Sequence, residues 1–365
     1  TLKKDTCNTC DSLKVQINNE QNAMKKEELN IRHTEHLSLA ENAQTLLKID
    51  LDNAKKNEHL QCLTYDMEKT LPLPRLPTNI IFYKRQLWLY NTGIFSGKDN
   101  QGYCYVWLEG EAGRGAQEVG SCLRKHIKNN LNNSIKELVM WSDSCGGQNR
   151  NIKIVLLMKT LFNNTELETI TLKYLYPGHS FLPNDRNFSD IESALKHQQR
   201  LYTPDDYIHI MKTCKKKNPL KVIKMNKEDF VSTENLEKKI TNRKVSESGD
   251  KINWLATRQI KLYRSKPFSI FMNSTLSVDN FVEVNMEKRC RGRQSTTPFP
   301  AEILLTQLWP DGKEINKLKL EDIKSIMHLI PTDAHAFYSN LIGNSVIDED
   351  VGGFNEFLDF EIETN

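Results

Sequence analysis

Residues 21–60 contain neither Gly nor Pro, and they space Leu37, Ala40, Ala43, Leu46, Leu47, Ile49 and Leu51 at near-helical intervals, which predicts one or two long helices. The pattern then changes. Residues 60–67 (LQCLTYDM) read as a short strand carrying Asp66 near its end, while three prolines keep 71–78 (LPLPRLPT) out of a helix or a central strand. Residues 79–95 and 103–109 carry aromatic and β-branched side chains at strand spacing, a plausible antiparallel pair. Residues 116–130 return to helical periodicity, with Val119, Cys122, Leu123 and Ile127 on one face. After them come a buried strand at 138–141, a helix at 151–162, a strand at 168–176 and a helix at 187–199.

This order of three strands, helix, strand, helix, strand, helix predicts an α/β fold: a ribonuclease H-like mixed sheet flanked by helices, with its first and fourth strands adjacent at the centre. Asp66 and Asp143 would then meet at neighbouring strand tips. The chain divides into a CxxC segment with a helical arm (1–59), a core (60–212), a basic and polar linker (213–252), a small α+β accessory region (253–345) and an acidic tail (346–365). Strand-like pieces at 254–284, a basic loop at 289–297 and a helix at 318–329 are expected in the accessory region, and the acid-rich run at 348–363 in the tail.

The densest chemistry is the apolar strand that ends at Asp143 and runs at once into Ser144, Cys145, Gly146, Gly147, Gln148, Asn149, Arg150 and Asn151. Phosphodiester cleavage with two metal ions needs two or three converging carboxylates, and Asp66 and Asp143 supply two. The third comes from Asp185, just ahead of the last helix, or Glu192, about two turns inside it. Asp185 is equally suited to capping that helix. His179 and Asn184 are candidates to orient a water, a phosphate or a carboxylate. The glycine turn, with Gln148, Asn149 and Arg150, reads either as a phosphate-approach loop or as a tight turn with Asn caps. Lys84 and Arg85, beside Trp88, form a basic, aromatic stripe suited to nucleic acid. Separately, Cys7 and Cys10 with His33 and His36 have the types and spacing of a structural Zn²⁺ site.

Composition narrows the class. With 38% hydrophobic and 27% charged residues, and no apolar run long enough for a bilayer, a membrane-spanning helix is excluded. Eight cysteines, mostly isolated in apolar or helical contexts, do not form a disulfide framework and favour a reducing, intracellular compartment. A net charge of +3 does not announce nucleic-acid binding, although 212–217 and 289–293 are locally basic. Thr1 ahead of a cysteine pair reads as the start of a fragment.

The strings LTYDMEKTLPLP, FYKRQLWLYNTGI, RGAQEVGSCL, WSDSCGGQNRN and GHSFLPNDRNFSDIE resemble those of a group of uncharacterised arthropod proteins derived from DNA transposons, with a ribonuclease H-like DDE/D transposase core. The similar stretch runs from Cys7 to the IPTDAHAFY string at 330–338. More distant members carry GHTHxDxD where this chain has GHSFLPND, which places their final Asp on Asp185 and their second His on Phe181. The resemblance implies a metal-dependent DNA nuclease or strand transferase using Mg²⁺ or Mn²⁺ on Asp66, Asp143 and Asp185. It also implies DNA as partner, action as a homo-oligomer and a nuclear location. The alternative is a domesticated, catalytically inactive DNA- or chromatin-binding protein.

Overall fold

The computed structural model describes residues 6–241, 245–287, 299–300 and 303–343. The expected basic loop at 289–297 and acid-rich run at 348–363 lie outside the described residues. Helix α1 (Asn8–Asn19) packs on α2 (Ala23–Lys56), whose start is fixed by Asn22, a side-chain acceptor for the Met24 and Lys25 amides. Only Ala40, Ala43, Leu47 and Ala54 of α2 are buried, so its N-terminal half projects as an arm with Met24, Ile31, Leu37 and Leu39 exposed.

Among the described residues, ten strands form one sheet. They are β1 (Leu60–Met67), β2 (Leu71–Leu73), β3 (Leu87–Ser96), β4 (Gln101–Leu108), β5 (Glu137–Ser142), β6 (Thr169–Tyr174), β7 (Lys221–Lys224), β8 (Gln259–Tyr263), β9 (Ser269–Asn273) and β10 (Val282–Asn285). Their order is β10-β9-β8-β6-β5-β1-β3-β4-β7, with β2 paired to β3. β1, β3 and β4 are antiparallel neighbours, whereas β1, β5 and β6 run parallel. The expected adjacency of the first strand and the strand leading to Asp143 is therefore present.

Alternation along the strands builds two cores. Tyr103, Tyr105 and Trp107 of β4 face α3 (Ala116–Asn130) and α4 (Ile152–Lys159). Cys104, Val106 and Leu108 face a second layer made by α5 (Pro183–Lys196) and α6 (Pro204–Thr213). The mixed α/β sheet is thus flanked by helices on both faces.

Four details differ from the sequence expectation. The strand expected over 79–95 begins only at Leu87, because 79–83 form a 3₁₀ turn that leaves Ile80, Phe82 and Tyr83 exposed. α5 starts at Pro183, ahead of Asn187, with proline in the first turn where its missing N–H costs nothing. The stretch expected as a linker contains the short helix α7 (Glu234–Glu237) and buries Phe230 and Leu236 in the first core. The strand-like pieces after Trp254 are β8–β10, and β8 pairs with β6, so they extend the same sheet. Helices α8 (Lys317–Ile326) and α9 (Thr332–Gly343) close the second core through Ile323, Ala334 and Tyr338. No helix among the described residues is long and apolar enough to cross a membrane.

Candidate carboxylate site and metal cluster

The parallel β1–β5 ladder ends on the pair Thr64 and Trp141, and two residues further along each chain stand Asp66 and Asp143. Both carboxylates therefore leave the sheet at the carboxyl ends of adjacent central strands, where α/β sheets present their ligand sites. Asp185 arrives from the first turn of α5, which seats on Gly93, the antiparallel partner of Asp66. The contact is close: a Cβ at Gly93 would lie 2.6 Å from the Phe188 ring, so that ring would have to shift.

Each carboxylate has one oxygen committed to the fold. Met67 N–H donates to Asp66 Oδ1 at 2.7 Å, and Leu182 N–H donates to Asp185 Oδ2 at 2.8 Å. Asp143 Oδ1 accepts from the Cys145 amide at 3.1 Å and from the Asn149 side chain. The second oxygen of each has no hydrogen-bond partner among the described residues. Asp185 thus does cap its helix, but through the amide of Leu182, and the same rigid geometry presents its other oxygen. Burial, then the charge of Asp143 and more weakly that of Asp185, pushes Asp66 up to about 7. Burial also raises Asp185, opposed by its bond from Leu182 and reinforced by Asp143.

Glu192 does not join this group. It pairs with Lys69 Nζ at 2.7 Å beside Glu68, whose own carboxylate takes a 2.7 Å bond from Asn91. Burial first, and then the charge of Glu192, push Glu68 up to about 7. Glu192, two turns beyond Asp185 in α5, belongs to this separate acidic pair, whereas Asp185 lies close enough for its charge to raise Asp66.

The glycine turn resolves mainly in favour of tight-turn chemistry. Asn149 (2% exposed), Arg150 (9%) and Asn184 (1%) are buried, so the expectation that they contact nucleic acid is corrected to internal roles. Asn149 holds Asp143, Arg150 donates to the Thr257 carbonyl at 3.3 Å, and Asn184 accepts from the Thr64 hydroxyl. Gln148 bonds the Arg114 carbonyl at 2.9 Å, and Asn151 caps α4. Gly147 remains exposed, with nothing within 4 Å of where its Cβ would be. Lys84 and Arg85 are tied to Asp322 at 3.4 and 2.9 Å, which spends much of the charge expected to meet nucleic acid. A cation the sequence reading missed is Arg258, which donates to Ser144, next to Asp143, at 3.0 Å and stacks on Tyr176 at 4.2 Å.

A second centre includes the loop that leads into α5. Cys7, Cys10, His36 and His179 form a possible metal-binding cluster, with one ligand atom from each lying within 4.8 Å of all the others. Two of these expectations change places. His33 stays outside the group, its Nε2 buried without a partner, while His179, expected beside the carboxylates, takes the fourth corner. The reason is backbone contact: Gly178, at φ +74°, packs so tightly on Cys7 that a Cβ would lie 2.4 Å from the Cys7 Cα.

Residues 83–258 match the model of a domain of unknown function (DUF7869), a span that includes Asp143 and Asp185 and begins after Asp66. No curated protein matches the chain. No solved structure matches it either.

Proposed function

We propose that this chain is a transposase-type, metal-dependent DNA nuclease or strand transferase with a ribonuclease H-like core, in which Asp66, Asp143 and Asp185 hold two Mg²⁺ or Mn²⁺ ions. The observation that carries this reading is the placement of Asp66 and Asp143 two residues past the paired Thr64 and Trp141 on adjacent parallel strands, with Asp185 near enough that its charge raises Asp66. Each has one oxygen anchored, and their free oxygens are not gathered within 4.8 Å of one another as the Cys7 cluster is. The order β4-β3-β1-β5-β6, with an antiparallel triplet and two parallel additions, supports the fold assignment. Oxygen-only donors suit hard divalent cations.

Ions bound there would act as Lewis acids on the phosphoryl group and favour deprotonation of the attacking water or hydroxyl. The protein's part is positional. Asn149 and the Cys145 amide fix the rotamer of Asp143, and the Leu182 amide fixes that of Asp185. Arg258 sets a guanidinium beside the Ser144 turn, suited to a phosphate oxygen.

The test is nicking of labelled duplex DNA in Mg²⁺ or Mn²⁺ by wild type and Asp143→Asn. The variant is expected to lose cleavage while keeping its thermal transition and DNA binding. Cleavage retained by Asp143→Asn would overturn the assignment, and a wild type that binds DNA but never cuts it would favour the inactive DNA-binding alternative.

A further inference from the structure

We propose that Cys7, Cys10, His36 and His179 bind one Zn²⁺, and that this ion clamps the N-terminal helical arm to the loop between β6 and α5, fixing the start of α5. The proposal rests on the carboxylate reading only for what Asp185 does once it is held there.

The four donors come from three separate places in the chain. Cys7 and Cys10 stand at the start of α1, His36 lies on α2, and His179 lies in the loop after β6. Cys7 Sγ is 3.2 Å from His36 Nε2, Cys10 Sγ is 3.3 Å from His179 Nε2, and the two Nε2 atoms are 3.2 Å apart. Around tetrahedral zinc, with Zn–S about 2.3 Å and Zn–N about 2.0–2.1 Å, neighbouring ligand atoms sit roughly 3.3–3.8 Å apart. The cluster is therefore close to the size the ion needs. All four donor atoms face one another, the arrangement a shared cation requires.

Donor chemistry separates this site from the carboxylates. Thiolate and imidazole select Zn²⁺, whereas oxygen-only sites select Mg²⁺ or Mn²⁺. Both cysteines are buried, and four protein ligands leave no open position, which marks a structural site. The surroundings hold the loop as well as the ligand: the Gln44 side chain donates to the His179 carbonyl at 2.9 Å, and the His36 ring meets Tyr176 edge-on. A short run links His179 to Leu182 and Asp185, so a fixed imidazole limits where α5 can begin.

The experiment uses the full chain. Zinc content is measured by mass spectrometry, Co²⁺ substitution is read from its visible absorption, and amide hydrogen exchange is followed across 179–187. Wild type is expected to hold one zinc per chain and to give the intense bands of tetrahedral, thiolate-bound cobalt. His179→Ala and Cys10→Ser should lose the metal, His179→Cys should keep it, and His33→Ala should be silent. In His179→Ala, exchange at 182–187 should quicken at least tenfold, with His179→Cys restoring protection. A wild type with no zinc or cobalt, or loss of metal in His33→Ala but not His179→Ala, overturns the site. Metal loss with unchanged exchange at 182–187 overturns the clamp. None of these readouts needs nuclease activity, so they fail independently of the carboxylate reading.

Discussion

Gly93 stands directly across the β1–β3 ladder from Asp66, and the missing Cβ at that position is the space into which Phe188 of α5 fits. One hydrogen atom in place of a methyl thus sets how closely the helix that carries Asp185 can approach the strand that carries Asp66. Gly93→Ala would bring its Cβ to 2.6 Å from Phe188 and 3.3 Å from the Asn184 amide. It is expected to cost about 1–3 kcal/mol in denaturant unfolding, as overpacking usually does. It should weaken Mn²⁺ binding more than that loss explains, because α5 shifts as a unit. Adding Phe188→Leu should recover most of both effects, and a Gly93→Ala protein as stable as wild type would show that the contact relaxes freely.

The parts of this architecture that follow from local pattern were readable along the chain, and the parts set by long-range pairing were not. Asp66 and Asp143 could be placed together because each ends an apolar run and the order of elements makes those runs neighbours. Pro183 reads locally as a breaker, yet it opens α5, and that choice decides whether Asp185 lies before the helix or in its first turn. His179 gives no spacing signal toward Cys10, 169 residues away, since only the path of β6 and the turn at Gly178 bring them together. In the same way Lys84 and Arg85 look like free cations until Asp322, from α8, reaches them. Arg258 was missed because it enters with β8, whose partner strand cannot be chosen from alternation alone.

Proton and metal compete for Asp66. Its carboxyl is pushed up to about 7 in the fold, against about 3.9 in an unfolded chain. Between those values the native state binds more protons than the unfolded one, so the metal-free protein should lose stability as pH rises from about 4 through 7. Glu68, also pushed up to about 7, adds a slope of the same sign, which Glu68→Gln isolates. Mn²⁺ at one hundred times its dissociation constant should return about 2.7 kcal/mol near neutral pH. Asp66→Asn should remove both its share of the slope and the Mn²⁺ response. Thermal denaturation from pH 4 to 8, with and without Mn²⁺, checks this, and a Mn²⁺ response that survives in Asp66→Asn would detach Asp66 from the cation site.

One carboxylate of α2 ties the helix to the sheet. Asp50 Oδ2 accepts from Trp141 Nε1 at 2.8 Å and from Lys173 Nζ at 2.7 Å, and the lysine lies 5.2 Å from the Trp141 ring centre. Side-chain exposures of 16% for Asp50 and 15% for Lys173 make this a largely desolvated pair between α2 and β6, flanked by Ala43, Leu47 and Ala54. Removing only the acid strands an ammonium and an indole N–H in a poorly hydrated place, so Asp50→Ala should cost about 3 kcal/mol. Adding Lys173→Met removes the stranded charge and should recover part of that loss, giving a clear coupling energy in a double-mutant cycle. Because α2 also supplies His36, loosening at Asp50 should raise the zinc off-rate without altering the ligands themselves. Urea unfolding and chelator-driven zinc release measure the two effects. An Asp50→Ala protein within about 0.5 kcal/mol of wild type would mean that the apolar contacts of α2 hold the arm without the ion pair.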